Sequence, residues 1–367
     1  MQKLILIFSL FISVNCFAAG GGTKTIIENG TGNYTSVIAW ESGENSDLQQ
    51  TAYGVISGTW TNREIAVLSI NGFTTYPTAY IDISATGTAK AGKTVSNTVW
   101  RVNATAGRAV DVYESNVRFD GLQINPEIYS KYTTGIIGLY FNHDTVTRPA
   151  DYRISNCLIV DSSYTSVSSL GLPSTAIYTE ANSSITFRVY NNKFYNWGQG
   201  ITGAWASYVS TYVFYNNTFF RCDKSTQTSE GIIGCIAIRN LGRFFAKNNI
   251  IVGSTKCFNN DGSIVMTSTK NLTSDQTSPN AELRGLNPNF VNTTIGNNTD
   301  LTIVSPDTTT INMGMNLTTD PNSYQNITTD YDGQSRASAG TQNWTIGADE
   351  YVYLGGRRRT TYTIYKD

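Results

Sequence analysis

The segment FNHDTVTRPADYR, residues 141–153, carries residue types that acid–base chemistry requires. It contains His143, the only histidine of the chain, followed directly by Asp144, and it ends at Arg153. A histidine beside a carboxylate titrates near neutral pH and can transfer protons. His143, Asp144 and Arg153 are therefore the candidate catalytic residues. The alternative is a solvated polar loop between two strands that has no chemical role.

A second segment of interest, residues 194–217, is rich in aromatic residues. Tyr and Trp combine a flat apolar ring with a polar tip, so they suit half-hydrated surfaces, and sugar rings offer flat C–H faces. A row of such rings predicts a surface that binds a glycan chain. The alternative is that the rings only cover or fill the repeating units. The candidate substrate-binding residues are Tyr195, Trp197, Trp205, Tyr208 and Tyr212.

Other chemistries have little support in the sequence. The spacing of Cys157, Cys222, Cys235 and Cys257 matches no zinc pattern, so these residues are either buried thiols or disulfide partners. The segment DYDGQ, residues 330–334, resembles half of a calcium loop but lacks the remaining ligands. No phosphate-binding loop and no basic stripe occur. We expect no metal, no cofactor and no nucleic acid partner; the expected partner is a polysaccharide or a cell-surface glycan.

The composition indicates a β-rich protein with many turns. Charged residues make up only 14 % of the 367 residues and the net charge is −1, so a surface that neutralises a polyanion is not expected. Hydrophobic residues make up 40 %, which excludes a disordered chain, and 22 tyrosines favour strands.

The N-terminus has the features of an export signal. Lys3 precedes the apolar run Leu4 to Val14, which is too short to span a bilayer, and small residues follow it. Residues 1–18 are predicted to be a signal peptide cleaved after Ala18 or Ala19. The expected location is secreted, extracellular or at the cell surface, with the periplasm also open, and no integral membrane span is expected.

Three similar segments, VYNNKFYNW, FYNNTFFRC and FAKNNIIVG, begin at Val189, Phe214 and Phe245. In each, alternating apolar residues predict a strand, a polar pair interrupts it, and apolar residues resume. RISNCLIVD and VRFDGLQIN are weaker copies. Repeats of this length without a helical period, built from two or three short strands, predict a right-handed parallel β-helix.

The repeated Asn–Asn pairs are best explained by architecture. Asn tolerates the left-handed backbone of a sharp turn, and the side-chain amides of stacked turns can form a hydrogen-bonded ladder. Gly121 can make the same bend because it has no Cβ atom.

The predicted organisation has five parts. Residues 1–18 are the signal peptide, 19–98 an N-terminal cap with the first coils, 99–300 the parallel β-helix coils, 301–351 the C-terminal closing coils and cap, and 352–367 a basic tail. The segment GTGNYTSVIAWES, residues 30–42, is expected to be an amphipathic cap over the open end of the stack.

The chain resembles the pectin-lyase-like right-handed β-helix proteins, and within them an exported bacterial and phage-associated group. The resemblance rests on GTGNYTSVIAWES, VRFDGLQI, the Asn–Asn coils and the closing segments DYDGQSR and TIGADEY, and it covers roughly residues 25–351. It implies an all-β parallel β-helix. It leaves function open, because such proteins include polysaccharide lyases, glycoside hydrolases and receptor binders.

Signatures of the best-known enzymes of that superfamily are absent. The paired aspartates and Gly-His-Gly of polygalacturonase-like hydrolases do not occur, nor do the Asp-His and Arg-x-Pro-x-x-Arg patterns of pectate lyases. The favoured hypothesis is a non-catalytic glycan-binding or structural and adhesive protein that acts through loops between coils. The alternatives are a polysaccharide lyase or glycoside hydrolase, and a virion receptor-binding or decoration protein, against which the cleavable signal argues.

Overall fold

The computed structural model describes residues 22–351 except 46, 49, 65, 76–77, 103–106, 127–135, 143–148, 162–173, 181–183, 205–209, 223–233, 239–241, 261–264, 323–326 and 337–342. Within these residues the fold is dominated by three long sheets whose strands are all parallel. The predicted all-β class with parallel strands is confirmed.

The first sheet has nine strands, and each pairs in parallel with the strand of the next unit along the chain. Its strands are Gly22–Ile26, Ala52–Ile56, Ile81–Ala85, Val117–Asp120, Ala150–Ser155, Ile185–Tyr190, Ser210–Tyr215, Gly242–Lys247 and Val265–Thr269.

The second and third sheets have seven strands each. The second comprises Arg101–Val102, Gln123–Ile124, Leu158–Val160, Lys193–Tyr195, Thr218–Phe220, Ile250–Val252 and Leu272–Thr273. The third comprises Leu68–Ile70, Arg108–Val112, Ile137–Asn142, Thr175–Glu180, Gln199–Ala204, Ile236–Ile238 and Phe258–Asn260.

From Ile81 onward the chain visits the sheets in a constant order: first, second, third, then first again. We call one such passage a coil. In the first sheet, side chains alternate between the interior and the outer face, as the period of a strand requires. The inward row from Ile83 through Phe119, Ile154 and Val189 to Phe214 is fully buried. Burying each such side chain contributes roughly 1.5–3 kcal/mol.

The two asparagines of each pair have different structural roles. The second forms an internal ladder: Nδ2 of Asn192 donates to Oδ1 of Asn217 at 3.0 Å, Asn217 to Asn249 at 3.0 Å, and Asn249 to Asn271 at 2.7 Å. The first adopts the left-handed backbone, with φ of 57° at Asn191 and similar values in neighbouring coils. The predicted Asn ladder and left-handed turns are confirmed.

The N-terminal helix is Val37–Glu44. Ser36 caps it by accepting a hydrogen bond from the backbone N–H of Ala39 at 3.0 Å. Trp40 is buried against Phe73, with ring centroids 6.2 Å apart. The role of this helix as a cap over the stack stays a prediction, as does the five-part division of the chain.

The remaining elements are short. Asp47–Leu48 pairs in parallel with Thr74–Thr75, and Phe290–Asn292 pairs antiparallel with Asp300–Ile303. Two 3₁₀ helices, Gly87–Ala89 and Ala281–Leu283, complete the set.

The C-terminal region packs along the outside of the coils and contributes no strand to the three sheets within its described residues. We call residues 311–322, 327–336 and 343–351 the strap. Its Tyr331, Ile346 and Ala348 cover the outer face of the second sheet, and its Leu317 and Trp344 cover part of the first. A buried ion pair joins Lys193 of the second sheet to Asp349 of the strap at 2.8 Å.

Candidate functional site

Of the three candidate catalytic residues, the structure describes only Arg153. His143 and Asp144 lie outside the described residues. Arg153 is on the first-sheet strand Ala150–Ser155 and is only 2 % exposed. Its guanidinium pairs with Asp151 at 2.7 Å and donates to the hydroxyl of Tyr80 at 3.1 Å. Arg153 is therefore part of a charged network on the outer face of the sheet.

The described part of the predicted aromatic surface is not exposed. Tyr195, Trp197 and Tyr212 are buried, with at most 2 % of each side chain exposed. Tyr212 faces the interior of the first sheet, Trp197 donates from its ring to the carbonyl of Ile159 at 3.1 Å, and residues of the C-terminal third cover Tyr195. These three rings cannot stack on a ligand, which corrects the prediction. Trp205 and Tyr208 lie outside the described residues.

The four cysteines named above are free and buried, so the buried-thiol interpretation holds for them. Burial raises the pKa of the Cys157 thiol well above its usual range, which makes it a poor nucleophile.

A groove of about 450 Å³ lies on the outer face of the first sheet and is the candidate site among the described residues. Its floor consists of outward side chains from four neighbouring coils and from the strand that contains Tyr53. Ile327, Thr328 and Thr329 of the strap form one wall. Because strands are about 4.8 Å apart, five strands span about 19 Å, which is long enough for a chain-like ligand.

Strand register places the floor residues in two rows. In the first row, Tyr53 is opposite Asp82, Asp82 opposite Arg118, Arg118 opposite Arg153, and Arg153 opposite Arg188. Two residues further along the same strands, the second row runs through Ser84, Asp120, Ser155 and Tyr190. The groove thus combines two carboxyl groups and two guanidinium groups with serine hydroxyls and tyrosine rings, and Arg188 continues the first row beyond the groove lining.

Asp151 is the centre of the charged network on one side of the groove. One oxygen contacts Arg153 at 2.7 Å and the other pairs with Arg188. The hydroxyl of Tyr80 donates to the same carboxylate at 3.2 Å. These two arginines therefore share one carboxylate within the protein.

Arg118 and Asp82 make weaker polar contacts within the protein than Arg153 and Arg188 do. The guanidinium of Arg118 stacks on the ring of Tyr80 at 3.4 Å from its centroid. Its distance to the Asp82 carboxylate is 3.8 Å, longer than a hydrogen bond. The Nε of Arg118 is buried and has no hydrogen-bond partner among the described residues. About a fifth of each side chain is exposed, so the exposed part of each group, and not the buried Nε, keeps hydrogen-bonding capacity for a ligand.

The pKa of Asp82 is raised to about 6. Burial is the main cause; Arg118 and Arg153 oppose the increase, and the nearby negative charge of Asp120 adds to it. Asp82 can therefore exist as an acid or as a carboxylate near neutral pH.

Asp120 is held differently. Its Oδ1 accepts hydrogen bonds from the hydroxyl of Ser155 at 2.6 Å and from Nδ2 of Asn156 at 2.7 Å. Since Ser84 is opposite Asp120, the Cα atoms of Asp82 and Asp120 are about 8 Å apart by strand geometry. The groove floor thus places two carboxyl groups in different environments near each other.

Of the residues that line this groove, sequence reasoning named only Arg153 as a candidate, although a signal for the others was present. Arg118, Arg153 and Arg188 each lie three residues before the left-handed residue of their turn, namely Gly121, Asn156 and Asn191. Aligning the repeats on that residue puts the arginines in one column, on one face of the sheet. The contribution of the strap to the groove has no comparable signal.

No family model matches the chain, and no match was found among curated proteins or among solved structures. In the part of the chain that the structure describes, no group of three or more possible ligands is placed to hold a metal ion. No helix within the described ranges has the length and hydropathy to cross a bilayer.

Proposed function

We propose that this chain is an exported right-handed parallel β-helix protein of the pectin-lyase-like type, and that it binds an uncharged polysaccharide in the groove on its first sheet. The constant order of the three parallel sheets and the Asn ladder support the β-helix. Crossovers between parallel strands are almost always right-handed, which supports the hand. The apolar run of residues 4–14 supports export.

The observation that carries the binding proposal is the unsatisfied Asp82–Arg118 pair on the floor of a groove that crosses several coils. A sugar hydroxyl both donates and accepts hydrogen bonds, so one hydroxyl can bridge a carboxylate and a guanidinium. Tyr53, 39 % exposed in the same row, offers a ring face to the apolar side of a sugar.

Charge balance supports an uncharged ligand. Three aspartates face three arginines on this part of the sheet: Asp82, Asp120 and Asp151 against Arg118, Arg153 and Arg188. A polyuronate would meet as many carboxylates as guanidinium groups and would gain little net attraction. A chain of neutral sugars is not repelled by the carboxylates and can use every donor and acceptor.

The test is calorimetric binding of hexasaccharides from β-1,4-glucan, xylan, mannan and polygalacturonate to the purified protein. We expect binding of at least one neutral hexasaccharide, weakened by Asp82→Asn and insensitive to salt. Asp111→Asn is a matched control, because Asp111 also faces an arginine, Arg108, at 3.8 Å but lies on the third sheet. Salt-sensitive preference for polygalacturonate, or no binding of any hexasaccharide, would contradict the proposal.

A second candidate function, hydrolysis of the bound chain, is favoured by the Asp82–Asp120 pair. Protonated Asp82 would donate its proton to the glycosidic oxygen as the bond breaks. The Asp120 carboxylate would take a proton from the water that attacks the anomeric carbon. Release of reducing ends near pH 6, reduced at least a hundredfold by Asp82→Asn and not by Asp111→Asn, would establish it. Binding without turnover would leave the non-catalytic function.

A further inference from the structure

The wall of the groove belongs to a small hairpin of the strap. Thr329 and Ser335 form an antiparallel bridge, and the N–H of Arg336 donates to the carbonyl of Thr328 at 2.8 Å. One arm therefore carries the wall residues, and the other carries Arg336. The hairpin lies beside the turn that contains Asn191.

Asn191 is bonded to both arms of this hairpin. Its Nδ2 donates to the carbonyl of Thr329 at 2.8 Å, and its Oδ1 accepts from the guanidinium of Arg336 at 3.2 Å. Arg336 is buried and also donates to the carbonyls of Gly347 and Ala348, at 3.0 and 2.7 Å. A single turn residue of the sheet thus connects the groove wall to the rest of the strap.

Asn248 holds the equivalent position two coils further on and makes equivalent contacts. Its Nδ2 donates to the carbonyl of Met315 at 2.7 Å, and its Oδ1 accepts from the N–H of Met315 at 2.9 Å. Both asparagines are buried and both have a φ of 57°. Met315 does not line the groove. Each residue therefore anchors the strap through two side-chain hydrogen bonds, but only Asn191 anchors its groove wall.

We propose that Asn191 is a positioning residue that fixes the wall formed by residues 327–329 and so sets the width of the groove. The expected change in glycan affinity rests on the proposed function, whereas the expected change in the position of the wall does not depend on any ligand. The left-handed backbone at Asn191 directs its side-chain amide outward to the strap, so this residue does more than form the turn. Asn192, the second asparagine of the pair, forms the internal ladder.

The experiment compares Asn191→Gly with Asn248→Gly, since Gly keeps the left-handed backbone at both positions. Each substitution removes two hydrogen bonds to the strap, so we expect similar decreases in Tm. We expect hydrogen exchange of the 327–336 amides to rise about tenfold in Asn191→Gly and to change less than twofold in Asn248→Gly. Affinity for the tightest neutral hexasaccharide should weaken about fivefold to tenfold in Asn191→Gly alone.

Asn191→Asp is a second variant for the case in which Asn191→Gly does not fold. It keeps an acceptor for Arg336, replaces the donor to Thr329 by a carboxylate oxygen that cannot bond that carbonyl, and Asp tolerates the left-handed backbone. Faster exchange at 327–336 in this variant supports the inference.

Equal exchange at 327–336 in the Asn191 and Asn248 variants overturns the inference, whether or not a glycan binds. Faster exchange with unchanged glycan affinity overturns the part that concerns groove width. If the unchanged protein binds no hexasaccharide, the proposed function fails, and the exchange comparison still decides whether Asn191 holds the wall.

Discussion

Along the outer face of the first sheet, the position three residues before each turn is arginine in three successive coils and apolar in the next two. Arg118, Arg153 and Arg188 are followed in the same row by Val213 and Phe245. We call the part with the arginines the open half and the part with Val213 and Phe245 the covered half.

The two halves differ in what lies over them. In the open half the strap stands beside the sheet as a wall, and a groove remains. In the covered half Leu317, Ile327 and Trp344 pack onto Val213 and Tyr215 and exclude water. The backbone pairing is the same in both halves, so the outward side chains decide whether the sheet presents a site or an interface.

The energetic reason is desolvation. Covering a charged side chain with apolar residues costs hydration unless an ion-pair partner comes with them, as Asp349 does for Lys193. The described residues of the strap bring no acidic partner to the arginine row and stand beside it. Burial of the apolar side chains in the same row stabilises the folded protein by roughly 25 cal/mol for each Å² removed from water, so packing of the strap onto them is favourable. A change of residue type along one row thus separates an open groove from a covered core.

The largest expected effect comes from exchanging residue types between the halves. Val213→Arg places an unpaired charge in the covered half and should lower the free energy of unfolding by about 4 kcal/mol. Arg188→Val should cost only about 1 kcal/mol, because Asp151 keeps Arg153 as a partner. Urea unfolding measures both. Equal decreases in the free energy of unfolding of Val213→Arg and Arg188→Val would contradict the difference between the two halves.

The second largest effect is expected in the covered half, where stability should decrease at low pH. Burial acts to raise the pKa of Asp320, but contacts from Lys247, the Asn322 N–H and the Tyr215 hydroxyl lower it below its ordinary value. A lowered pKa in the folded state gives stability that is present above the unfolded pKa of about 4 and is lost as the pH falls through the folded pKa.

Asp320→Asn should therefore destabilise the protein by about 2 kcal/mol at pH 7, and the difference from the unchanged protein should shrink toward pH 3. Urea unfolding at the two pH values is the measurement. A difference that is constant with pH would rule out the ion pair with Lys247 as its source.

The open half should respond to pH with the opposite sign. The raised pKa of Asp82, about 6, means that the folded state holds its proton more tightly than the unfolded state. Ionising Asp82 therefore costs stability as the pH rises from about 4 through 6. As the pH rises from 4 to 7.5, the free energy of unfolding of Asp82→Asn should increase by about 1–2 kcal/mol relative to that of the unchanged protein. If the difference in free energy of unfolding between Asp82→Asn and the unchanged protein is the same at pH 4 and pH 7.5, Asp82 titrates normally.

The smallest effect on stability is expected at the end of the open row. Tyr53→Ala should change the free energy of unfolding by less than about 0.5 kcal/mol, because 39 % of the side chain is exposed. It should weaken binding of a neutral hexasaccharide about fivefold through loss of the ring face. Val291→Ala, at an exposed apolar residue outside the groove, is the control and should leave affinity unchanged. Equal affinity in the two variants would remove Tyr53 from the proposed site.

Much of the repeat architecture could be predicted from sequence because its causes are local. Alternation of apolar residues defines strands, and a left-handed turn selects Asn or Gly at positions such as Asn191 and Gly121. Identical turns that recur along the chain stack, so the Asn192 to Asn271 ladder was also predictable.

The site was not predictable to the same degree. Burial of Trp197 and Tyr195 depends on which side of a short strand faces the interior and on cover from the C-terminal third, neither of which an aromatic-rich stretch specifies. Asp82 and Asp120 are 38 residues apart in the chain, and only strand register brings them to neighbouring strands.

The sequence by itself determined the strand period, the turns and the column of arginines, because each depends on residues within one coil or on their repetition. Only the tertiary structure decided where the strap lies, which outward residues it covers and which pKa values shift. These depend on contacts such as Asn191 with Thr329 and Lys193 with Asp349, between segments more than a hundred residues apart. Whether such segments meet is set by the desolvation of whole surfaces, which no short stretch of sequence encodes.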